Sequence, residues 1–319
     1  MTLSRQNRIV SDRIVAIEVD GGHDVPVADV PPARRSLFSR RPRELICSEV
    51  WGGNHSMASD IRLPGLTGTI FSSPCSGEAG GDVYYLSACS AGLVARLALA
   101  DVVGHGEAVS QMSEWMYDSL RRNMNRPDPS RIFEDVNRRA LAKGIGAMTT
   151  AVCLTYYSLR STLYFCYAGH HSALIYRKSE KRWRRLDISE SGRRLPRNLP
   201  LAVDGSVRFD VNTAKIEAGD RILIYSDGLT EAPNRNGGQF GEPRLCRILE
   251  SHADESCHSL GEMLLTNLRR FTGRCGWPEA HFDHDDVTFV LLEATPPPRG
   301  FKMWQMMRNH ARKWLSRLA

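Results

Sequence analysis

From about residue 66 onward, apolar residues run in short blocks whose length and spacing predict strands. The blocks fall at 67–72, 82–89, 93–101, 148–157, 162–168, 172–177, 206–211, 220–226 and 286–293. They are rich in Val, Ile, Leu, Tyr and Phe. A helical period replaces them in three places. Over 106–124, Val109, Met112, Met116 and Leu120 share one face, and over 131–143 Ile132, Val136 and Ala140 do. Over 259–272 the stripe is Leu260, Met263, Leu264, Leu268 and Phe271. Many strands with helices arriving in pairs predict an α+β fold of antiparallel sheets covered by helices. Residues 1 to about 45 have weak periodicity, a Pro31-Pro32 break and a basic stretch with Arg34, Arg35, Arg40, Arg41 and Arg43. That pattern predicts a loosely packed arm. Pro296-Pro297-Pro298 closes the patterned region as a stiff spacer. The expected division is an N-terminal extension over 1–60, a folded domain over 61–295, and a proline linker with a final helix over 296–319.

Composition narrows the class. The 319 residues are 42% hydrophobic and 24% charged, ordinary for a soluble globular chain. No run approaches the roughly 18 consecutive apolar residues of a membrane span. The first dozen residues are polar and lack the apolar core of a signal peptide, so a cytoplasmic location is expected. The eight cysteines, at 47, 75, 89, 153, 166, 246, 257 and 275, show no CxxC spacing. Cys89, Cys153 and Cys166 lie in strand-like runs and read as small buried hydrophobes, which suits a reducing compartment. The net charge of +6 is local: from Arg299 onward there are six Lys/Arg and no Asp/Glu, leaving 36 of each sign before it. A neutral body offers no basic groove, so nucleic acid is not an expected partner.

Candidate chemistry sits at strand ends. Leu97-Ala98-Leu99-Ala100 runs into Asp101-Val102-Val103-Gly104-His105-Gly106, and Ile222-Leu223-Ile224-Tyr225 runs into Ser226-Asp227-Gly228-Leu229-Thr230-Glu231. In reverse order, Asp283-His284-Asp285-Asp286 opens Val287-Thr288-Phe289-Val290-Leu291-Leu292, and Gly80-Gly81-Asp82 opens Val83-Tyr84-Tyr85-Leu86. A carboxylate beside a buried strand is costly unless its charge is offset. Four such ends meeting in one cleft would make a cage of hard oxygen ligands, suited to Mg2+ or Mn2+ rather than zinc. Each Asp-Gly taken singly is more often a turn than a ligand.

The motifs Gly80-Gly81-Asp82, Asp101 to Gly106, Ala168-Gly169-His170, Ser226 to Ala232 and Asp285-Asp286-Val287-Thr288 stand in an order that resembles the PPM family of metal-dependent serine/threonine phosphatases. The likeness is to its SpoIIE-like (RsbU-like) bacterial branch and covers about 66–293. It implies a β-sandwich of mainly antiparallel sheets flanked by helices, in α-β-β-α layers, with two Mn2+ or Mg2+ ions at one end. Carried over by motif, Asp101 is the bridging ligand and the Val102 carbonyl a ligand to one ion. Asp227 and Asp285 are the other ion's carboxylates, and Asp82 is a supporting carboxylate that orients water. Val103 departs from the branch's usual Ser or Met, and Tyr85 stands where the branch often has a further Asp. His105 lies two residues beyond the place of the histidine general acid of eukaryotic relatives, whose phosphate-contacting arginine has no counterpart here.

These expectations describe a phosphatase acting on phosphoserine or phosphothreonine of a protein. By resemblance, its partner would be a phosphorylated STAS-type anti-sigma-factor antagonist. The rivals are a catalytically weak phosphoprotein-binding regulator of the same fold and a two-metal phosphodiesterase or nuclease, which the neutral body disfavours. His281, Asp283 and His284 read either as an extra ligand or as a solvated loop. Glu231 reads as a brace of the Asp227 loop or as purely structural, His170-His171 as a turn, and Trp115 with Met112 and Met116 as core. In 301–318, Phe301, Trp304, Met307, Ala311, Trp314, Leu315 and Leu318 form one face of a basic amphipathic helix. Such a helix either lies on an anionic membrane or docks on the folded domain or a second subunit.

Overall fold

The computed structural model describes residues 36–45, 49–75, 79–89, 93–104, 107–123, 126, 128–188, 196–273, 282 and 284–296. The strands are β1 (Ser39–Glu44), β2 (Glu49–His55), β3 (Met57–Leu63), β4 (Leu66–Ser73), β5 (Ala79–Cys89), β6 (Val94–Val102), β7 (Thr149–Tyr157) and β8 (Thr162–Ala168). They continue with β9 (Leu174–Arg177), β10 (Arg182–Arg185), β11 (Asn212–Lys215), β12 (Arg221–Tyr225) and β13 (Val287–Ala294). Five helices join them: α1 (Glu107–Arg122), α2 (Pro129–Leu141), α3 (Asp227–Thr230), α4 (Glu242–Ser251) and α5 (Cys257–Thr272).

The strands form two sheets, in the orders β1-β3-β4-β13-β12-β9-β10 and β11-β8-β7-β6-β5-β2. Every named pairing is antiparallel except β1 with β3. Strand alternation then sorts the side chains. Leu86, Leu97, Leu99, Val152 and Leu154 of one sheet meet Ile61, Ile70, Ile222, Ile224 and Val290 of the other in a core between the sheets. The opposite faces are covered in turn. Phe71, Leu223, Phe289 and Leu291 pack under α4 and α5, while Val83, Ala98, Ala100 and Cys153 pack under α1 and α2. The order of layers is the expected α-β-β-α.

Three expectations change. The sheets begin before residue 66, because β1, β2 and β3 are paired within them, and the boundary set between 60 and 61 falls inside β3. The strand expected at 206–211 is not one. Val207 and Phe209 are buried, but backbone pairing there is a single bridge from Arg208 to Arg197, and the strand follows at β11. Helix ends follow local chemistry. Asp128 caps α2 by accepting from the Ser130 N–H at 3.0 Å, and Ser256 caps α5 by accepting from the Ser259 N–H at 3.1 Å. The arm expected over 1–45 is corrected at its end, where β1 pairs with β3 and Phe38 and Leu45 are buried; its part before residue 36 and the helix expected at 301–318 lie outside the described residues. Among the described residues, no helix is long and apolar enough to cross a membrane.

Candidate active site

Asp82 and Asp101 are directly opposite each other across β5 and β6. By strand alternation both share the face of Tyr84 and Leu99, which points into the space between the sheets. The other sheet answers from the same end. Asp227 follows β12 and opens α3, while Asp285 and Asp286 precede β13, the neighbour of β12. Each candidate carboxylate therefore stands at one end of the sandwich, and the sheets bring all of them together.

Hydroxyls line the seven-stranded side. Ser72 and Thr288 are 2.9 Å apart through their oxygens, and the Ser226 hydroxyl accepts from the Thr288 N–H at 2.9 Å. The Asp286 carboxylate links three segments. It accepts from the N–H of Cys75 at 2.7 Å, from that of Asp82 at 3.0 Å, and from that of Gly81. A Cβ at Gly80 would lie 2.1 Å from Asp286 Oδ2, so only glycine admits this approach. Gly228 is constrained likewise, since a Cβ there would lie 2.0 Å from the Asp286 carbonyl oxygen. Sequence reasoning placed no role on Asp286. The Asp285-Asp286 doublet was the visible signal, without showing which carboxylate turns toward backbone.

Crowding sets the electrostatics. Asp82 is 3% exposed, and burial first, then the charges of Asp101 and Asp286, hold its carboxyl well above the usual range. Hydroxyls of Ser226 and Thr288 act in the opposite direction. Burial pushes Asp101 up to about 7, helped by Asp227, Asp285 and Asp286, and burial also raises Asp285. Asp82 Oδ2 is buried without a hydrogen-bond partner among the described residues. Among the described residues, no three Asp, Glu, His or Cys side chains close into an ion cage. The donor set nonetheless fits a hard cation: it is all oxygen, it is crowded with like charge, and it includes an orphaned carboxylate oxygen.

The departures resolve by strand face. Tyr85 is buried under α1 and α2, so a carboxylate there would face the helix layer rather than the cleft. Val102 is buried and Val103 is 48% exposed at the rim. His105, His281 and Asp283 lie outside the described residues. His284 Nε2 donates to the Gly228 carbonyl at 2.8 Å, tying the start of α3 to the approach to β13. Glu231 has an exposed side chain, and its N–H donates to the Asp227 carbonyl at 2.7 Å. Burial lowers the pKa of His170, whose Nδ1 donates to the His171 carbonyl at 3.0 Å. The His171 ring lies 4.2 Å from that of Tyr225. Met116 is buried, with Met112 and Trp115 packed against the same cluster, as core.

Residues 94–295 match the family described as Stage II sporulation protein E (SpoIIE). The chain is 23% identical over 200 residues to the phosphoserine phosphatase RsbU of Bacillus subtilis, covering 61% of this chain and 54% of that protein. It thus spans about half the length of that relative. The structure of the RsbU and RsbW domains of a Mycobacterium tuberculosis protein superposes with a TM-score of 0.62 at 21% identity, covering 82% of this chain and 71% of that one. RsbX in complex with magnesium gives 0.53 at 19% identity, covering 75% of this chain and 100% of that one.

Proposed function

Since the chain belongs to the Stage II sporulation protein E (SpoIIE) family, we propose that it is a metal-dependent phosphatase of phosphoserine or phosphothreonine on a regulatory protein in bacterial signalling. The observation that carries this reading is the convergence of Asp82, Asp101, Asp227 and Asp285 from two sheets at one end of the sandwich. In this proposal Asp101, the Val102 carbonyl, Asp227 and Asp285 would hold the two Mn2+ or Mg2+ ions. Such ions would activate water and neutralise phosphoryl charge. Asp82, buried beside Asp101, would orient water through its unpartnered Oδ2. The magnesium in the RsbX structure supports the choice of a hard cation.

The substrate in this reading is a phosphorylated STAS-type anti-sigma-factor antagonist, supported by the likeness to RsbU. Residues 301–318 would either touch an anionic membrane peripherally or dock on the folded domain or a second subunit, a choice that rests on the sequence alone. Membrane contact predicts that flotation with anionic liposomes is lost when the chain ends at Pro298, and equal flotation of the two chains leaves docking. The enzyme reading is tested by phosphate release from a phosphoserine peptide. Turnover should require Mn2+ or Mg2+ and stop with a chelator. Binding of the peptide without any turnover would favour a non-catalytic phosphoprotein-binding regulator.

A further inference from the structure

Among the described residues, Val103, Ile145, Leu159 and Val203 are the large hydrophobics left exposed. Isolated exposed hydrophobics are normal on protein surfaces. Here three of the four gather at the carboxylate end, while Leu159 follows the far end of β7. Ile145 is 85% exposed, Val103 48% and Val203 47%.

Their loops are fastened to one another. The Val103 N–H donates to the Met148 carbonyl at 3.0 Å, and the Met148 N–H donates to the Ile145 carbonyl at 3.0 Å. Thr149 and Leu201 exchange backbone bonds of 2.8 and 3.3 Å. Asn137 of α2 binds both sides of the next turn, accepting from the Ala202 N–H at 2.9 Å and donating to the Asp204 carbonyl at 2.9 Å. Beneath the loops, Ala140, Ala147 and Ala202 are buried together. Ala202 itself has φ of 66°, a left-handed conformation costly for a residue with a Cβ. The strained turn and the Asn137 clamp hold Val203 outward. Ile145 stands between Gly144 and Gly146, and a Cβ at either glycine would meet nothing within 4 Å. It is a projecting side chain on a braced base.

We propose that Val103, Ile145 and Val203 form a docking rim for the protein substrate and take apolar side chains flanking its phosphoserine. This inference rests on the phosphatase reading and adds the substrate's local chemistry to it. Continuity with the cleft selects this occupant. Val103 directly follows Asp101 and Val102, so a phosphoryl group at the carboxylates places its own chain beside the rim. An extended peptide advances about 3.3 Å per residue, so side chains within a few positions of the phosphoserine can reach it.

Two phosphoserine heptapeptides test this, one with leucine and one with serine at the positions flanking the phosphoserine, alongside p-nitrophenyl phosphate. The full chain should prefer the leucine peptide in kcat/KM on the order of tenfold, as a hydrophobic contact discriminates. Ile145→Ser and Val203→Ser should erase that preference while leaving p-nitrophenyl phosphate turnover unchanged. A chain indifferent to the flanks, or variants that keep the preference, would overturn the rim while leaving the phosphatase reading intact. A changed sedimentation coefficient in Ile145→Ser would assign the rim to a second copy and overturn it as a substrate site. A preference seen only when the chain ends at Pro298 would assign it to the tail, with the same consequence. No hydrolysis of any of the three esters would overturn the phosphatase reading and the rim with it.

Discussion

Asp286 and Asp285 are adjacent in sequence and differ in what their carboxylates face. Asp285 Oδ1 accepts from the Asp286 N–H at 2.8 Å, whereas the Asp286 carboxylate accepts from three backbone groups across the β4–β5 connection and the start of β5. Asp286→Ala removes this acceptor from the Gly81 and Asp82 N–H groups, at about 1–3 kcal/mol for each that stays buried and unsatisfied. It should lower the thermal midpoint by several degrees and weaken Mn2+ binding by releasing Asp82. Asp286→Asn keeps one carbonyl acceptor and should lose less of both. Scanning calorimetry with Mn2+ titration checks this, and an alanine variant as stable as wild type would show that these bonds contribute nothing. The sequence displayed the acidic doublet but not this division of roles, which depends on backbone donors more than 200 positions away in the chain.

Among the elements, α1 has a specific hold on the site. The Ser113 hydroxyl reaches the Gly81 carbonyl at 3.1 Å, and Asn54 Nδ2 donates to the Gly80 carbonyl at 3.1 Å and the Ser110 carbonyl at 3.4 Å. The helix that follows the Asp101 motif is thus fastened to the residues just before Asp82, and a shift of α1 would move that carboxylate. Ser113→Ala should raise the Mn2+ concentration for half-maximal turnover by roughly tenfold, the lower range for loss of an outer-shell partner. An unchanged half-saturation value would separate α1 from the site. Elements with strong apolar period, such as α1, α5, β6 and β13, were legible in the sequence. Edge elements were not. β1 is Ser-Arg-Arg-Pro-Arg-Glu, and β11 buries only Ala214, so neither carries a period that marks a strand. At 206–211 the alternation was present and no strand pairs there, because Val207 and Phe209 pack under the helices from a loop.

For the whole molecule, the cluster makes stability depend on pH. Asp82, Asp101 and Asp285 all have folded-state pKa values above their ordinary ones, with Asp101 at about 7. Between pH about 4 and 7 the folded chain therefore binds more protons than the unfolded one, so metal-free stability falls as pH rises through that window. Asp101→Asn removes one of these groups. Its melting temperature should come nearest to wild type below pH about 4 and exceed it increasingly toward pH 8, with the order reversed at pH 8 by saturating Mn2+. Parallel curves for the two metal-free proteins would contradict the crowding of these carboxylates. The convergence that causes this was only partly legible: the motifs marked each strand end, but sheet order was not readable from residues so distant in sequence.

The central claim is that these carboxylates hold ions that drive phosphoester hydrolysis, and Asp101→Asn tests it most directly. Phosphate release from a phosphoserine peptide is measured at saturating Mn2+, with Mn2+ binding followed by calorimetry on the same samples. The account predicts loss of turnover and weakened Mn2+ binding in a variant that still unfolds cooperatively, with Asp227→Asn behaving alike. Undiminished turnover in folded Asp101→Asn would contradict it.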